Sequence, residues 1–303
     1  MWVRMRDGAM LHVRQWGRGH PVLMLSGLGM SSRHWWPFLA PFLAERKGSF
    51  RFILPDARGI GGSAQIHFAM RDVFEQHWQD AEDIVQQLRL KDFSLIGYSL
   101  GASVGLHGFA QNGWAGVGRY LHIDQSPCIP NLPDWPYGLL GPRQNALFEA
   151  FERIEAKILA LDSHATLADI SFAIRQSVLG DWQQISRTYF HSPQAAKLFA
   201  LGLRWPSLLK QVFPMYRLAD MGAYVHSYRH AHDYRPALAN CTIPVTVLAG
   251  SCSMLYHPRG QQWLANTLVQ GRYESMEGAG HLMAIERPVA FYRALKGFLH
   301  SGL

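Results

Sequence analysis

The stretch that decides the fold is Asp92-Phe93-Ser94-Leu95-Ile96-Gly97-Tyr98-Ser99-Leu100-Gly101, followed by Ala102-Ser103-Val104-Gly105-Leu106-His107-Gly108-Phe109-Ala110. Its first five residues are a short apolar run that reads as a buried strand. The residues after Gly101 read as a helix. Between them Gly97-Tyr98-Ser99-Leu100-Gly101 forms a G-x-S-x-G. A serine on a sharp strand-to-helix turn is held in strained backbone geometry with its hydroxyl lifted above the sheet. The flanking glycines leave room for the turn, and the helix N-terminus lies beneath any developing negative charge. The plainer reading is a glycine-rich turn, since the bare pattern recurs by chance. The strand–turn–helix setting makes Ser99 the candidate nucleophile.

Working outward, strand-like runs occur at 2–6, 11–15, 22–25, 52–54, 93–96, 120–123, 245–248 and 273–275. From the third onward they are continuous runs of Val, Ile, Leu and Phe, as expected of parallel strands covered on both faces. Helical patterns lie between them. Phe74, Trp78, Ala81, Ile84, Val85 and Leu88 share one face at 3.6 spacing, as do Phe291, Leu295, Phe298 and Leu299. Strands alternating with helices predict an α/β fold with a doubly wound, mostly parallel eight-stranded sheet. The stretch from Cys128 to Leu238 breaks the alternation. It opens on a proline-rich segment and then reads as helices at 143–161, 166–179, 193–203 and 218–234. The expected organisation is a core of 1–127 and 239–303 with an all-helical cap, 128–238, over the sheet edge that carries Ser99.

Bulk properties agree with a folded enzyme. The 303 residues are 48% hydrophobic, enough for a large core and too apolar for a disordered chain. The apolar stretches are too short to span a bilayer, and the first residues lack the apolar run of a secretory signal. Cys128, Cys241 and Cys252 are odd in number and have no metal-like spacing, which reads as reduced thiols in the cytoplasm. The net charge of +7 comes from scattered Arg and Lys and does not point to nucleic acid.

A serine nucleophile needs a base and donors for an oxyanion. His281, in Gly278-Ala279-Gly280-His281-Leu282, follows the last strand and precedes the last helix, which puts it on a loop at the carboxyl edge of the sheet. Chain order, serine first and histidine last, fits a triad built on such a sheet. The oxyanion donors are expected to be the backbone N–H of Leu100, directly after Ser99, and that of Leu28, in Ser26-Gly27-Leu28-Gly29-Met30 after the third strand.

With these residues in place the chain resembles the α/β-hydrolase fold superfamily, especially its cap-bearing esterases, lactonases, C–C hydrolases and cofactor-free haloperoxidase-like members. Gly97–Gly101 is similar to the nucleophile elbow and Gly280-His281 to the base loop. Asp56-Ala57-Arg58-Gly59-Ile60-Gly61-Gly62-Ser63 is similar to the family's D-x-R-G-x-G-x-S turn, whose Asp and Arg the resemblance makes scaffold. Two departures stand out. Ser26 occupies the place where the family often has His at the oxyanion loop. The family's usual acid, in a G-x-x-D after the seventh strand, is absent, since that stretch is Gly250-Ser251-Cys252-Ser253. Some members place the acid after the sixth strand, where this chain has Asp124. Asp124 is therefore the expected partner of His281. The alternatives are a carboxylate that braces the cap hinge, Glu277 as the acid, or a dyad helped by water or Ser253.

Other features weigh less. His226, His230 and His232 read as one helix with two imidazoles at i, i+4, but no carboxylate stands at metal-site spacing. Trp35 and Tyr98 are candidate substrate contacts, with plain packing the competing reading for Trp35. The sequence thus predicts a serine hydrolase acting on a small-molecule ester, thioester or lactone, with no metal or organic cofactor, no nucleic-acid partner and no transmembrane segment. Perhydrolase, haloperoxidase-like or C–C hydrolase chemistry is the same-scaffold alternative. A binding or signalling protein that holds a small apolar ligand is the alternative outside catalysis. Substrate identity and oligomeric state are not written in the sequence.

Overall fold

The structure is a computed structural model that describes residues 1–44, 49–111, 113–162, 165–167, 169–186, 194, 197 and 217–301. Eight strands lie where the apolar runs place them: β1 (Trp2–Arg4), β2 (Met10–Gly17), β3 (His20–Leu25), β4 (Phe50–Pro55), β5 (Phe93–Tyr98), β6 (Val117–Ile123), β7 (Val245–Gly250) and β8 (Gly271–Met276). They form one sheet in the order β1-β2-β4-β3-β5-β6-β7-β8. The first two pairings, β1 with β2 and β2 with β4, are antiparallel, and every other pairing is parallel. All six residues of β5 are buried, which is why it is mostly apolar instead of alternating, and the hydroxyl of its Ser94 meets His20 at 2.9 Å and Arg119 at 2.8 Å. The chain passes from β3 outward to β4 and then returns to β5 on the other side of β3. That reversal opens a crevice at the carboxyl ends of β3 and β5, the place where doubly wound sheets bind ligands.

Helices cover both faces. Helix α2 (Val73–Gln87) buries Phe74, Trp78, Ala81, Ile84 and Val85, as its 3.6 spacing predicts. With α3 (Leu100–Gln111) it closes one apolar cluster. On the opposite face α1 (Trp36–Leu43) packs with the C-terminal helix 288–300, whose Phe291, Leu295, Phe298 and Leu299 enter the second cluster. The Asp56–Ser63 turn is scaffold. Asp56 accepts from the N–H groups of Ser32 at 2.6 Å and Gly62 at 2.9 Å. Arg58, fully buried, grips both oxygens of Asp80 at 2.8 and 2.7 Å and also meets Asp7 at 2.8 Å. A bidentate guanidinium–carboxylate fork of this kind fixes orientation as well as charge.

Between β6 and β7 the described residues include α4 (Gln144–Leu159), α5 (Phe172–Ser186) and α6 (Leu218–Arg229). Leu147, Phe151 and Ile154 of α4 and Met221, Tyr224 and Val225 of α6 share a third apolar cluster. Two helix expectations need correction. The segment expected at 166–179 becomes helical only from Phe172, because Asp169 folds back to accept from the N–H and hydroxyl of Thr166 at 2.8 and 2.7 Å. Ser171 then takes the Ile174 N–H at 3.3 Å, as a capping residue does. The helix expected to reach 234 ends at Arg229, so His232 does not share it with His226 and His230. The expected helix at 193–203 lies outside the described residues apart from 194 and 197.

Candidate active site

Helices α7 (Pro258–Thr267), α8 (Met283–Glu286) and α9 (Pro288–His300) complete the core, and the site sits on the carboxyl edge of the sheet. Ser99 follows β5 with φ of +54°, a left-handed conformation that costs a non-glycine residue energy. The turn is held by close packing. A Cβ at Gly101 would lie 2.0 Å from the Leu25 carbonyl oxygen, and one at Gly97 would lie 2.6 Å from the carbonyl oxygen of Gly101. Only glycine lets α3 approach β3 this closely. The Ser99 N–H donates to the Ile123 carbonyl at 2.9 Å, and its own carbonyl accepts from Ala102 and Ser103 at 2.8 and 3.1 Å. Beneath it Gln125 donates to the same carbonyl at 3.3 Å. His122, buried next to Gln125, is pushed down to about 4 by burial and stays neutral at pH 7.

His281 reaches this serine. Its Nε2 lies 2.9 Å from the Ser99 hydroxyl oxygen, and its Nδ1 lies 2.7 Å from Oδ2 of Asp124. An ionised carboxylate only accepts, so Nδ1 carries the proton and Nε2 is left to accept from the hydroxyl. Asp124 ends β6 with φ of +47° and is fully buried. Its four contacts are all donors: the Gly250 N–H at 2.9 Å, Gln261 Nε2 at 2.9 Å, the Ser253 hydroxyl at 2.7 Å and His281. β6 and β7 are parallel neighbours with Ile123 paired to Leu248, so their ends stand side by side. A carboxylate on one end therefore reaches across a single strand spacing, roughly 5 Å, to the place served by the other. Ser253 stands where the resemblance expects the acid, and it donates to the carboxylate. Glu277 is exposed and accepts from the Ser275 hydroxyl at 3.1 Å.

The two expected oxyanion donors lie at the start of α3 and in the turn after β3. Leu100 opens α3, and the N–H groups of a first helical turn have no acceptor within the helix. Leu28 lies inside the turn closed by Met30 N–H donating to Gly27 at 3.0 Å, so its own N–H is outside that bond. A Cβ at Gly27 would lie 3.3 Å from the Ser99 Cβ, which places this turn against the serine.

Trp35 and Tyr98 sit differently from the expectation that they contact substrate. Trp35 is 1% exposed and donates from Nε1 to the Ser26 hydroxyl at 2.9 Å. It braces the Leu28 turn from inside the core. Tyr98 is also 1% exposed, because residues alternate across a strand and the side chain before Ser99 points to the opposite face. There it meets Trp35 and Phe291, and its hydroxyl donates to the His281 carbonyl at 2.7 Å. Burial raises this phenol above its ordinary range, so it remains a donor. The sequence reading also missed Gln261. Its only signal is a polar residue on the inward face of a short helical pattern, which nothing distinguishes from its neighbour Gln262 before the fold is known.

Apolar residues next to Ser99 and Leu28 pack into the cluster under the helical segment. Leu28, Phe68, Leu100, Ile129, Leu255 and Tyr256 join the cluster formed with α4 and α6. Among the described residues no group of three or more His, Cys, Asp or Glu side chains is arranged to hold a metal. No described helix is long and apolar enough to cross a membrane.

This elbow, base loop and sheet define a known class. The model of the alpha/beta hydrolase family matches residues 22–294, and the chain belongs to that family. It is 25% identical over 272 residues to a pimeloyl-[acyl-carrier protein] methyl ester esterase of Aromatoleum aromaticum, covering 88% of this chain and 93% of that one. The match to an AB hydrolase superfamily protein of Bacillus subtilis is 24% identical over 160 residues and takes in 52% of this chain and 58% of that one. An esterase from Exiguobacterium antarcticum superposes with a TM-score of 0.74 at 20% identity, covering 99% of each chain.

Proposed function

We propose that the protein is a serine hydrolase acting on a carboxylic ester, thioester or lactone through an acyl-serine intermediate. The observation that carries this reading is the unbroken hydrogen-bonded line from Asp124 through His281 to Ser99. In the proposed mechanism His281 takes the Ser99 proton as the hydroxyl attacks the substrate carbonyl. Asp124 holds the imidazole in the required tautomer and stabilises its positive charge. The oxyanion that forms is met by the N–H groups of Leu28 and Leu100. Collapse expels the alcohol or thiol with the proton from His281. Water activated by the same imidazole then releases the acid and restores Ser99.

The helical segment 128–238 is proposed as a cap that roofs this site. Its shared cluster with Leu28 and Leu100 supports an apolar acyl or alcohol group, because burying apolar area near the reacting carbon favours binding by about 25 cal/mol per Å². Three free thiols, two of them buried, fit a reducing compartment, and the cytoplasm is the proposed location.

The test is covalent labelling by a fluorophosphonate, followed by a hydrolysis panel of esters of varied acyl length, thioesters and lactones. Rapid labelling at Ser99 with turnover of at least one class is expected. An unlabelled serine in folded protein would favour a ligand-binding role instead.

A further inference from the structure

The acid proposed for His281 sits on β6 instead of β7, so something must aim a carboxylate that arrives from the neighbouring strand. Two donors come from fixed parts of the edge, the Gly250 N–H on Oδ1 and His281 on Oδ2. The other two are side chains. Ser253 donates to Oδ2 at 2.7 Å, and Gln261, from α7, donates to Oδ1 at 2.9 Å. Each oxygen thus has two donors, and rotation of the carboxylate about its Cβ–Cγ bond would break contacts on both.

Gln261 bears the mark of a residue kept for its polarity. It is fully buried, and its second amide hydrogen goes to the Tyr256 carbonyl at 3.0 Å. Its Oε1 is buried with no hydrogen-bond partner among the described residues. The amide cannot relieve it by turning over, because Oε1 would then face the Asp124 carboxylate and the Tyr256 carbonyl, both acceptors. Leu or Met would fill a similar volume without stranding an acceptor. Helix packing alone therefore does not explain glutamine here, while a requirement to donate to Asp124 does.

We infer that Gln261 is a positioning residue, which with Ser253 clamps the relocated acid so that Oδ2 faces His281. This rests on the serine-hydrolase reading above. The ionisable groups around the pair are Tyr98 at the His281 carbonyl, Tyr256 beside the His281 ring, Tyr273 and His122 within the field of Asp124, and Glu286 at the Gly280 N–H. Gln261 is the only one of the two side-chain clamps that touches Oδ1 among the described residues. Removing its donor concentrates charge on the carboxylate and strengthens its hold on a protonated imidazole, so the base should lose its proton at higher pH.

The experiment compares wild type, Gln261→Met, Gln261→Glu and Asp124→Asn on one p-nitrophenyl ester that the wild type turns over, across pH 5–9, with melting temperatures recorded. Gln261→Met should lower kcat about tenfold with KM within about twofold, and should move the acid limb of kcat/KM to higher pH. Gln261→Glu keeps the shape but turns an acceptor toward Asp124. It should lose at least as much kcat and move the limb further. A merely structural residue would give the opposite order, with the isosteric Glu variant close to wild type and the limb in place, and this would overturn the inference even if the Met variant fails to fold. If Asp124→Asn is impaired while both Gln261 variants keep wild-type kcat and limb, the Gln261 inference alone falls. If folded Asp124→Asn is fully active, the reading of Asp124 itself falls.

Discussion

The carboxyl edge of the sheet and the seam under the helical segment are built on different principles. At the edge, Ser99 and Asp124 are tied by their own N–H groups to the carbonyls of Ile123 and Leu248, and Tyr98 ties His281 by its carbonyl. Sheet register thus sets the spacing of the three side chains, and burial keeps water from competing. The seam is held mostly through side chains, three of its contacts through histidine, beside the Ser227 hydroxyl, which accepts from the Val73 N–H at 2.9 Å and donates to the Arg71 carbonyl at 3.0 Å. His67 meets Asp220 at 2.7 Å, His232 meets Asp72 at 2.7 Å, and His77 meets Tyr224 at 2.9 Å. His77 is buried and pushed down to about 3, so its contact is neutral. His67 and His232 are about a third exposed, where water competes for their contacts. The difference assigns precision to the edge and adjustability to the seam, so changes at the edge should alter rate and changes at the seam should alter stability or substrate preference.

The largest effect that would break this division concerns Ser99. Ser99→Ala should fold with a wild-type melting temperature and lose hydrolysis by a factor on the order of 10⁴ or more. Retention of more than roughly a tenth of the activity would place the nucleophile elsewhere. Tyr98→Phe should have a smaller effect. It leaves the buried His281 carbonyl without its donor, which should cost about 1–2 kcal/mol in denaturant unfolding and lower kcat several-fold with KM unchanged. An effect on KM alone would return Tyr98 to the substrate pocket.

Asp72 should show the smallest effect on rate. It caps α2 by accepting from Phe74 at 2.9 Å and Glu75 at 3.3 Å, and it pairs with His232. Burial acts to raise its carboxyl, but the His232 contact and the cap bonds outweigh it and the net direction is downward. A carboxyl lowered on folding adds stability above the ordinary carboxylate range and loses it as pH falls through the folded value. Asp72→Ala should therefore cost about 1 kcal/mol near neutral pH, by an amount that shrinks at acid pH, with kcat within about twofold of wild type. A tenfold loss of kcat without loss of stability would mean that the seam controls the chemistry.

Much of the edge was legible in the chain because its demands are local. A buried parallel strand must be apolar, a tight elbow needs glycine, and both leave a mark within ten residues. Asp124 was raised by the resemblance, since some members place the acid after the sixth strand, and the parallel pairing of β6 with β7 sets the ends of those strands side by side. The errors arose where the deciding contact is remote or lies just outside a periodic pattern. Tyr98 next to the serine looks like a substrate contact until strand alternation turns it into the core. The helix starting at Phe172 was placed early because Asp169 competes for the backbone of Thr166, and apolar spacing carries no record of that competition. Gln261 was invisible because its partner is 137 residues away.

The central claim is that Asp124, from the end of β6, orients His281 for Ser99. The most direct measurement is kcat for Asp124→Asn and for Asp124→Asn combined with Ser253→Asp, each with its melting temperature. Removing the orienting acid typically costs on the order of 10⁴ in kcat with geometry intact. The single variant should stay folded and lose at least about 10²-fold, and the second substitution, which returns a carboxylate to the end of β7, should recover part of that loss. A folded Asp124→Asn protein with wild-type kcat would contradict the account.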